Sequence, residues 1–147
     1  MKTMWHYAAI MALSGMGIPV LAALNAALGR HMQAPVAAAA ILFLVAFAAC
    51  ALGVLLTNPS ALPRAAGAPW HYFTAGLLVA FYIVAITIIA PRFGLGNAIF
   101  FVLLGQMVSA AAIDHFGLFS ARVSPLGPVR LAGLGMMALG VWMTLQK

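Results

Sequence analysis

The 147-residue chain is two-thirds hydrophobic (66%), and only 5% of its residues are charged. A soluble domain typically carries about a quarter charged residues, because water has to solvate its surface. The composition therefore excludes an ordinary soluble domain and predicts an integral membrane protein, with the lipid bilayer as its solvent.

The basic side chains outnumber the single acidic one by seven to one, which gives a formal net charge of +6. They occur singly at the ends of apolar runs, where basic residues act as topology signals and headgroup anchors. A nucleic-acid surface needs clustered basic residues, so we expect no nucleic-acid partner. The only cysteine, Cys50, lies within an apolar run. It cannot form an internal disulfide, and we predict a small buried packing residue.

Five apolar runs are long enough to cross a bilayer, which takes about 20 residues at a rise of about 1.5 Å each. None of them alternates polar and apolar residues as a barrel strand does, and helices satisfy their own backbone groups in lipid. The prediction is an all-α, polytopic membrane protein with a single transmembrane domain over residues 1–147. Its five helices are expected at about 7–28, 35–56, 72–90, 94–113 and 129–145.

The predicted connections alternate in length along the chain. The short ones, 29–34 and 91–93, fall on one side of the membrane, and the longer ones, 57–71 and 114–128, fall on the other. Four basic residues share the side of the N-terminus and three lie opposite: Lys2, Arg64, Arg122 and Arg130 against Arg30, Arg92 and Lys147. An excess of Lys and Arg normally marks the cytoplasmic side. Because this excess is nearly absent, one hypothesis is insertion in both orientations to form an antiparallel dimer. The alternative is one weakly specified orientation.

The first helix contains a proline near its middle. Pro19 has no N–H and its ring clashes with the carbonyl of Gly15, so a kinked or broken helix is predicted. Ser14 and Asn25 share one face, because eleven residues make about three turns. A broken helix that carries Ser14, Pro19 and Asn25 could line a substrate path. The alternative is that its glycines and proline serve close helix packing.

Polar groups also lie within the third and fourth helices. Gln106 lies near the middle of the fourth helix, with Ser109 one turn later on the same face. An amide is costly in lipid, so Gln106 should face protein or a water-filled cavity, either in a transport path or in an interhelical hydrogen bond. Tyr82 could stack on an aromatic or cationic ligand. It projects away from a small-residue seam formed by Gly76, Ala80, Ile83 and Thr87, which we expect to be a helix contact.

The only carboxylate closes the fourth apolar run. Asp114, with His115 beside it, falls near the membrane interface rather than at the midplane. This position indicates an anchor or a gate, with Arg122, His115 or the backbone of the following turn as its partner. Arg92, at the end of the third run, is placed with them as a gate or interfacial residue.

One long stretch resembles a known family. Residues 76–119 read "GLLVAFYIVAITIIAPRFGLGNAIFFVLLGQMVSAAAIDHFGLF", and "NAALGR" closes the first helix at 25–30. Together with "PW" at 69–70, they resemble the YdcZ-type inner-membrane family, a short-chain branch of the drug/metabolite transporter superfamily. The resemblance covers essentially the whole chain. Its most specific parts are Asn25, Pro91-Arg92, Gly105-Gln106 and the segment 114–117.

The resemblance implies a five-helix half-transporter of the cell (inner or plasma) membrane that exports a small molecule. Its partner would be a second copy of the chain or a related five-helix chain. The small multidrug resistance relatives carry a glutamate in their first helix. This first helix has no carboxylate, which argues against a direct transfer of their proton-coupled mechanism.

The inventory of side chains argues against an enzyme. The chain has one Asp and no Glu, and its four His residues fall near the predicted interfaces. No Ser/His, paired-acid or metal-ligand arrangement results, so we expect no catalysis, no metal and no cofactor. The predicted function is a small-molecule transporter subunit that works by alternating access as a dimer. The alternative is an accessory or scaffold subunit of a heteromeric complex. A channel is less favoured, because Asn97 and Gln106 fall on opposite helix faces.

Overall fold

The computed structural model describes residues 2–146, and their side chains from Met4 onward. Within this range five α-helices follow one another and no strand occurs. They are α1 (Lys2–His31), α2 (Pro35–Thr57), α3 (Ala75–Phe93), α4 (Leu95–Phe116) and α5 (Pro128–Leu145). All five are long and apolar enough to cross a membrane. This confirms the predicted all-α fold with five transmembrane helices. Lys147 and the side chain of Lys2, both counted in the charge balance, lie outside the described residues.

Three helices extend beyond the apolar runs that predicted them. The ends of α1, α3 and α4 include polar residues that leave the lipid but remain helical, so an apolar run marks the hydrocarbon layer rather than the helix. The predicted connection at 91–93 is therefore wrong, because these residues form the last turn of α3. The break comes only at Gly94, whose φ of +92° interrupts the helix.

The starts of α2 and α5 are set by proline. Pro35 and Pro128 occupy the first turn of their helices, where the missing N–H costs nothing and the fixed φ favours the helix. Neither helix has a side-chain hydrogen bond at its N-cap. Of the longer connections, residues 58–74 contain two 3₁₀ segments, Pro59–Gly67 and Trp70–Thr74. In the other, the 3₁₀ segment Leu118–Ser120 follows α4.

The chain divides into two compact units, Met1–Arg92 and Phe93–Lys147. In the first unit α1 packs against α2, and the buried positions of both helices carry small residues that allow close approach. The buried side chains of α3 are larger. The buried residues of this unit are Ala22, Asn25, Ala26 and Gly29 of α1, Ala38 and Ala39 of α2, and Ile83, Ile86, Thr87 and Ala90 of α3.

In the second unit α4 packs against α5, and Ala98, Ala111 and Val141 are buried. The single-domain prediction for residues 1–147 stays a prediction.

Large apolar side chains cover the outside of both units. Trp5, Leu56, Phe81 and Trp142 are each more than half exposed, as suits a surface in contact with lipid. Cys50 belongs to this surface, so the prediction of a buried packing cysteine is wrong. The covered part of α2 lies near its start, whereas Cys50 lies in the half of the helix that the chain leaves open.

Candidate functional site

A buried polar contact joins α1 to α3. Asn25 is 4% exposed and Thr87 is 2% exposed. The Asn25 Nδ2 donates a hydrogen bond to Thr87 Oγ1 at 2.7 Å. The Thr87 hydroxyl donates in turn to the carbonyl oxygen of Ile83 at 2.6 Å, within its own helix. The predicted helix contact of the α3 seam is confirmed for Thr87, but it is wrong for Gly76, which is exposed and whose Cβ position has no neighbour within 4 Å. Asn25 contributes to the same contact, and its part in a substrate path stays a prediction.

A cavity of about 400 Å³ opens beside this contact. Its floor includes the buried residues Gly29 and Thr87, and its rim carries Arg30, Gln33 and Arg92, which are exposed. The cavity therefore combines a buried base, where α1 and α3 meet, with two exposed arginines at its mouth. Arg92, predicted as a gate or interfacial residue, lies at this mouth.

The base of the cavity depends on a glycine. A Cβ atom added to Gly29 would lie 3.1 Å from Thr87 Cγ2 and 3.3 Å from Pro35 Cα. Both distances are shorter than the ordinary separation of about 3.5–4.0 Å between carbon atoms in contact. Because Gly29 has no side chain, α1 can approach α3 and the start of α2 at the same point.

The turn from α1 to α2 is held by two backbone hydrogen bonds. The N–H of Ala34 donates to the carbonyl oxygen of Gly29 at 3.1 Å, and the N–H of Gln33 donates to that of Arg30 at 3.2 Å. This is the Schellman arrangement, in which the residue after the helix adopts the left-handed conformation. Gln33 adopts it with a φ of +53°, where glycine is usual. The turn thus places a glutamine side chain on the rim at some cost in backbone strain.

None of the predicted path residues of α1, Ser14, Pro19 and Asn25, lines this cavity. Ser14 is exposed, and its hydroxyl donates to the carbonyl oxygen of Ile10 at 2.9 Å, so it is satisfied within its own turn. The helix continues through Pro19 from Lys2 to His31, so the predicted break is wrong, and the predicted kink stays a prediction. A transmembrane helix tolerates an internal proline because only local backbone hydrogen bonds are lost. The Cβ positions of Gly15 and Gly17 have no neighbour within 4 Å, which leaves this part of α1 open.

Tyr82 lies in the middle of α3 and is partly exposed. Its hydroxyl is covered, and among the described residues it has no hydrogen-bond partner. Buried hydroxyl groups are normally hydrogen bonded, so this oxygen retains an unused capacity to donate and accept. Its predicted role in stacking on a ligand stays a prediction.

The middle of α4 presents an amide on an exposed surface. Gln106 lies eleven residues after Leu95 and ten before Phe116, and its side chain is exposed, as is that of Ser109. The Cβ position of Gly105 has no neighbour within 4 Å. Gln106 is predicted to face protein or a water-filled cavity, but none of the described residues covers its side chain. The amide is therefore available to a group outside the chain.

The only acidic side chain pairs with an arginine that the sequence analysis did not name as its partner. Asp114 Oδ2 lies 2.7 Å from Arg130 Nη2, and both side chains are 37% exposed. Asp114 lies in the last turn of α4 and Arg130 in the first turn of α5, so each charge meets the unfavourable end of its own helix dipole. The pair offsets both effects. The predicted partners of this carboxylate, which were Arg122, His115 or the backbone of the following turn, are wrong, because the packing of α5 on α4 brings Arg130 to it instead.

The residues around Asp114 also organise the connection to α5. The carbonyl oxygen of Asp114 accepts a hydrogen bond from the N–H of Ser124 at 2.8 Å. The Nδ1 atom of His115 accepts one from the N–H of Leu126 at 3.1 Å, which requires that this nitrogen be unprotonated. Asp114 and His115 therefore fix this connection to the end of α4, and their position at a membrane interface stays a prediction. A gating role for them stays a prediction.

The predicted residues do not form one constellation. Arg92 lines the cavity of the first unit together with Thr87, Arg30 and Gln33, whereas Asn25 is linked to it only through the hydrogen bond to Thr87. Sequence reasoning had assigned Thr87 to packing and had counted Arg30 only as a topology signal. The sequence did contain a signal for this grouping, because both predicted short connections, 29–34 and 91–93, carry an arginine. Within residues 4–146, no three His, Cys, Asp or Glu residues lie close enough to hold a metal ion.

Comparison with known proteins identifies a family. A family model described as "Putative inner membrane exporter, YdcZ" matches residues 6–143, nearly the whole chain. No curated protein and no solved structure matches significantly. The match confirms the resemblance that the sequence suggested. Together with the five apolar helices, it places the chain in the inner membrane as a multi-pass protein.

Proposed function

The chain belongs to the YdcZ-type family of inner-membrane exporters, and we propose that it exports a small molecule as an antiparallel dimer that works by alternating access. In such a dimer, two copies related by an axis in the membrane plane reproduce the inverted repeat of single-chain transporters. The substrate would move along a path between the two copies. An accessory or scaffold role in a heteromeric complex is the alternative.

The exposed amide of Gln106 is the observation that carries the proposal. A transmembrane helix of 22 residues places Gln106 about 16 Å from its start, near the middle of the bilayer. An unpartnered amide facing lipid there is costly. A second chain or a water-filled path would remove this cost. The hydroxyl of Ser109 and the open surface at Gly105 extend the same region.

Cross-linking between copies tests the arrangement. Gln106→Cys in a Cys50→Ala background is oxidised in native membranes and compared with Phe116→Cys, an exposed position at the end of the same helix. The two positions are about 15 Å apart along α4, so in an antiparallel pair the two Phe116 sites are about 30 Å apart while the Gln106 sites meet. A disulfide requires Cα atoms within about 7 Å.

We expect a cross-linked dimer for Gln106→Cys and none for Phe116→Cys. A cross-link at both positions would indicate a parallel pair. A cross-link at neither would remove α4 from the dimer interface and favour the accessory-subunit alternative. If Gln106 also lines the path, Gln106→Leu lowers export and leaves the dimer assembled.

A further inference from the structure

The cavity between the ends of α1 and α3 carries two arginines and no acidic side chain. We propose that it binds an oxyanion, either a carboxylate or a phosphate, held between Arg30 and Arg92. The guanidinium group presents several N–H donors in a planar fork that fits both anions. A volume of about 400 Å³ is sufficient for a small organic anion or a lipid headgroup.

The charge inventory of the chain supports this assignment. The sequence contains one acidic side chain, Asp114, and its carboxylate is paired with Arg130 at 2.7 Å. No acidic side chain is therefore left to neutralise Arg30 or Arg92. Two like charges at the mouth of one cavity repel each other, and an anion bound between them would relieve that repulsion.

The helix ends around the cavity explain only part of this arrangement. Arg30 and Arg92 each lie in the last turn of a helix, where a cation offsets the negative end of the dipole. This effect accounts for one arginine at each helix end, but it does not require them to share a cavity. Pro35, the first residue of α2, lies in the cavity wall and contributes the positive end of a third helix.

Gln33 adds a neutral donor to the rim. Its left-handed conformation costs backbone strain that a glycine would avoid. Strain of this kind is often retained where a side chain serves a function. The side-chain amide of Gln33 can donate to an oxyanion without adding charge.

This inference deepens the proposed function, because an anion held here would lie at the end of α1, the helix that carries the predicted path residues Ser14, Pro19 and Asn25. The oxyanion could belong to a soluble compound or to a phospholipid headgroup. The experiment measures binding and not transport. A negative result would therefore refute the anion site without refuting the proposed dimer, and refutation of the dimer would leave the anion site untouched.

The experiment uses the purified full chain in phosphatidylcholine nanodiscs. Inorganic phosphate is titrated and its dissociation constant is measured by calorimetry. A second arm uses nanodiscs that also contain phosphatidylglycerol, and native mass spectrometry counts the anionic lipids retained by the protein. The variants Arg30→Gln and Arg92→Gln are compared with Arg64→Gln. Arg64 is an exposed arginine outside this cavity and serves as the matched control.

We expect each cavity variant to weaken binding by about tenfold or more, because one charge-assisted hydrogen bond is lost. Arg64→Gln should bind as the wild type does. Arg30→Lys and Arg92→Lys keep the positive charge but lack the planar set of guanidinium donors, so they should lose part of the affinity for the anion. They also control for a folding defect in the glutamine variants.

Phosphate binding that is lost in the cavity variants identifies a site for a soluble oxyanion. If the wild type retains phosphatidylglycerol but does not bind phosphate, and the cavity variants lose the lipid, the cavity is a headgroup site. If neither probe binds, or if Arg64→Gln weakens binding as much as the cavity variants do, the proposal is overturned.

Discussion

Gly29 allows the close approach of α1 to α3 and α2, so replacing it with alanine should separate these helices. The added Cβ atom would lie 3.1 Å from Thr87 Cγ2, 3.3 Å from Pro35 Cα and 3.7 Å from Ala38 Cβ. Thr87 has little freedom to move, because its hydroxyl bonds both Ile83 and Asn25. The nearest atom of Pro35 is its Cα, which can move only if the backbone of α2 moves. One helix must therefore shift by several tenths of an ångström.

Two opposing terms determine the change in the free energy of unfolding. Overpacking of a tight contact typically costs about 1–3 kcal/mol. Alanine is favoured over glycine inside a helix by about 1 kcal/mol. Gly15 is the matched control, because it lies in the same helix and a Cβ atom there would meet nothing within 4 Å. The propensity term is common to both variants and largely cancels, so Gly29→Ala should be less stable than Gly15→Ala by about 1–3 kcal/mol.

The assay is reversible unfolding of each purified variant in mixed micelles, with SDS as the denaturant and circular dichroism as the signal. We expect Gly15→Ala to unfold at the same or a higher SDS fraction than the wild type, and Gly29→Ala at a lower one. Equal stability of the two variants would refute the reasoning, because it would mean that α1 does not approach Thr87 and Pro35 closely.

Three further predictions use the same unfolding assay. Asn25→Leu should destabilise the protein by about 0.6 kcal/mol and at most about 2 kcal/mol, and Thr87→Val by a similar amount, with no additional loss in the double variant. A larger combined loss would mean that the two side chains act separately. Asp114→Asn and Arg130→Gln should show a coupling free energy of about 0.5–1 kcal/mol in a double-mutant cycle, and additive effects would argue against their pairing. Gly117→Ala should cost about 1–3 kcal/mol, because Gly117 has a φ of +62° and its added Cβ would clash with a neighbouring side chain. An unchanged midpoint would contradict the left-handed end of α4.

The positions of the five helices could be predicted because lipid imposes a length and a polarity on each span. The ends could not be predicted as well, because polar residues such as Arg30, Arg92 and Asp114 remain helical after the chain leaves the apolar layer. Backbone conformation decides where each helix stops. Gly94 and Gly117 give a visible signal for this, but Gln33 does not, since glutamine seldom adopts a positive φ.

The contacts of the candidate site were less predictable than the polar residues themselves. The cost of polar groups in lipid was enough to single out Asn25 and Gln106. Their surroundings depend on packing between distant segments, and no local pattern specifies that Asn25 meets Thr87. The same limit applies to Asp114, because Arg130 follows it by sixteen residues while Arg122 is nearer in sequence.

The arrangement of the chain in the membrane is tested most directly by the orientation of its C-terminal end. Gln146→Cys in a Cys50→Ala background is labelled in intact cells with a membrane-impermeant maleimide, and again after permeabilisation. Cys50→Ala alone serves as the unlabelled control. An antiparallel homodimer predicts that about half of the molecules are labelled from outside, since the two copies have opposite orientations. Labelling of all molecules or of none would show a single orientation and contradict the antiparallel homodimer.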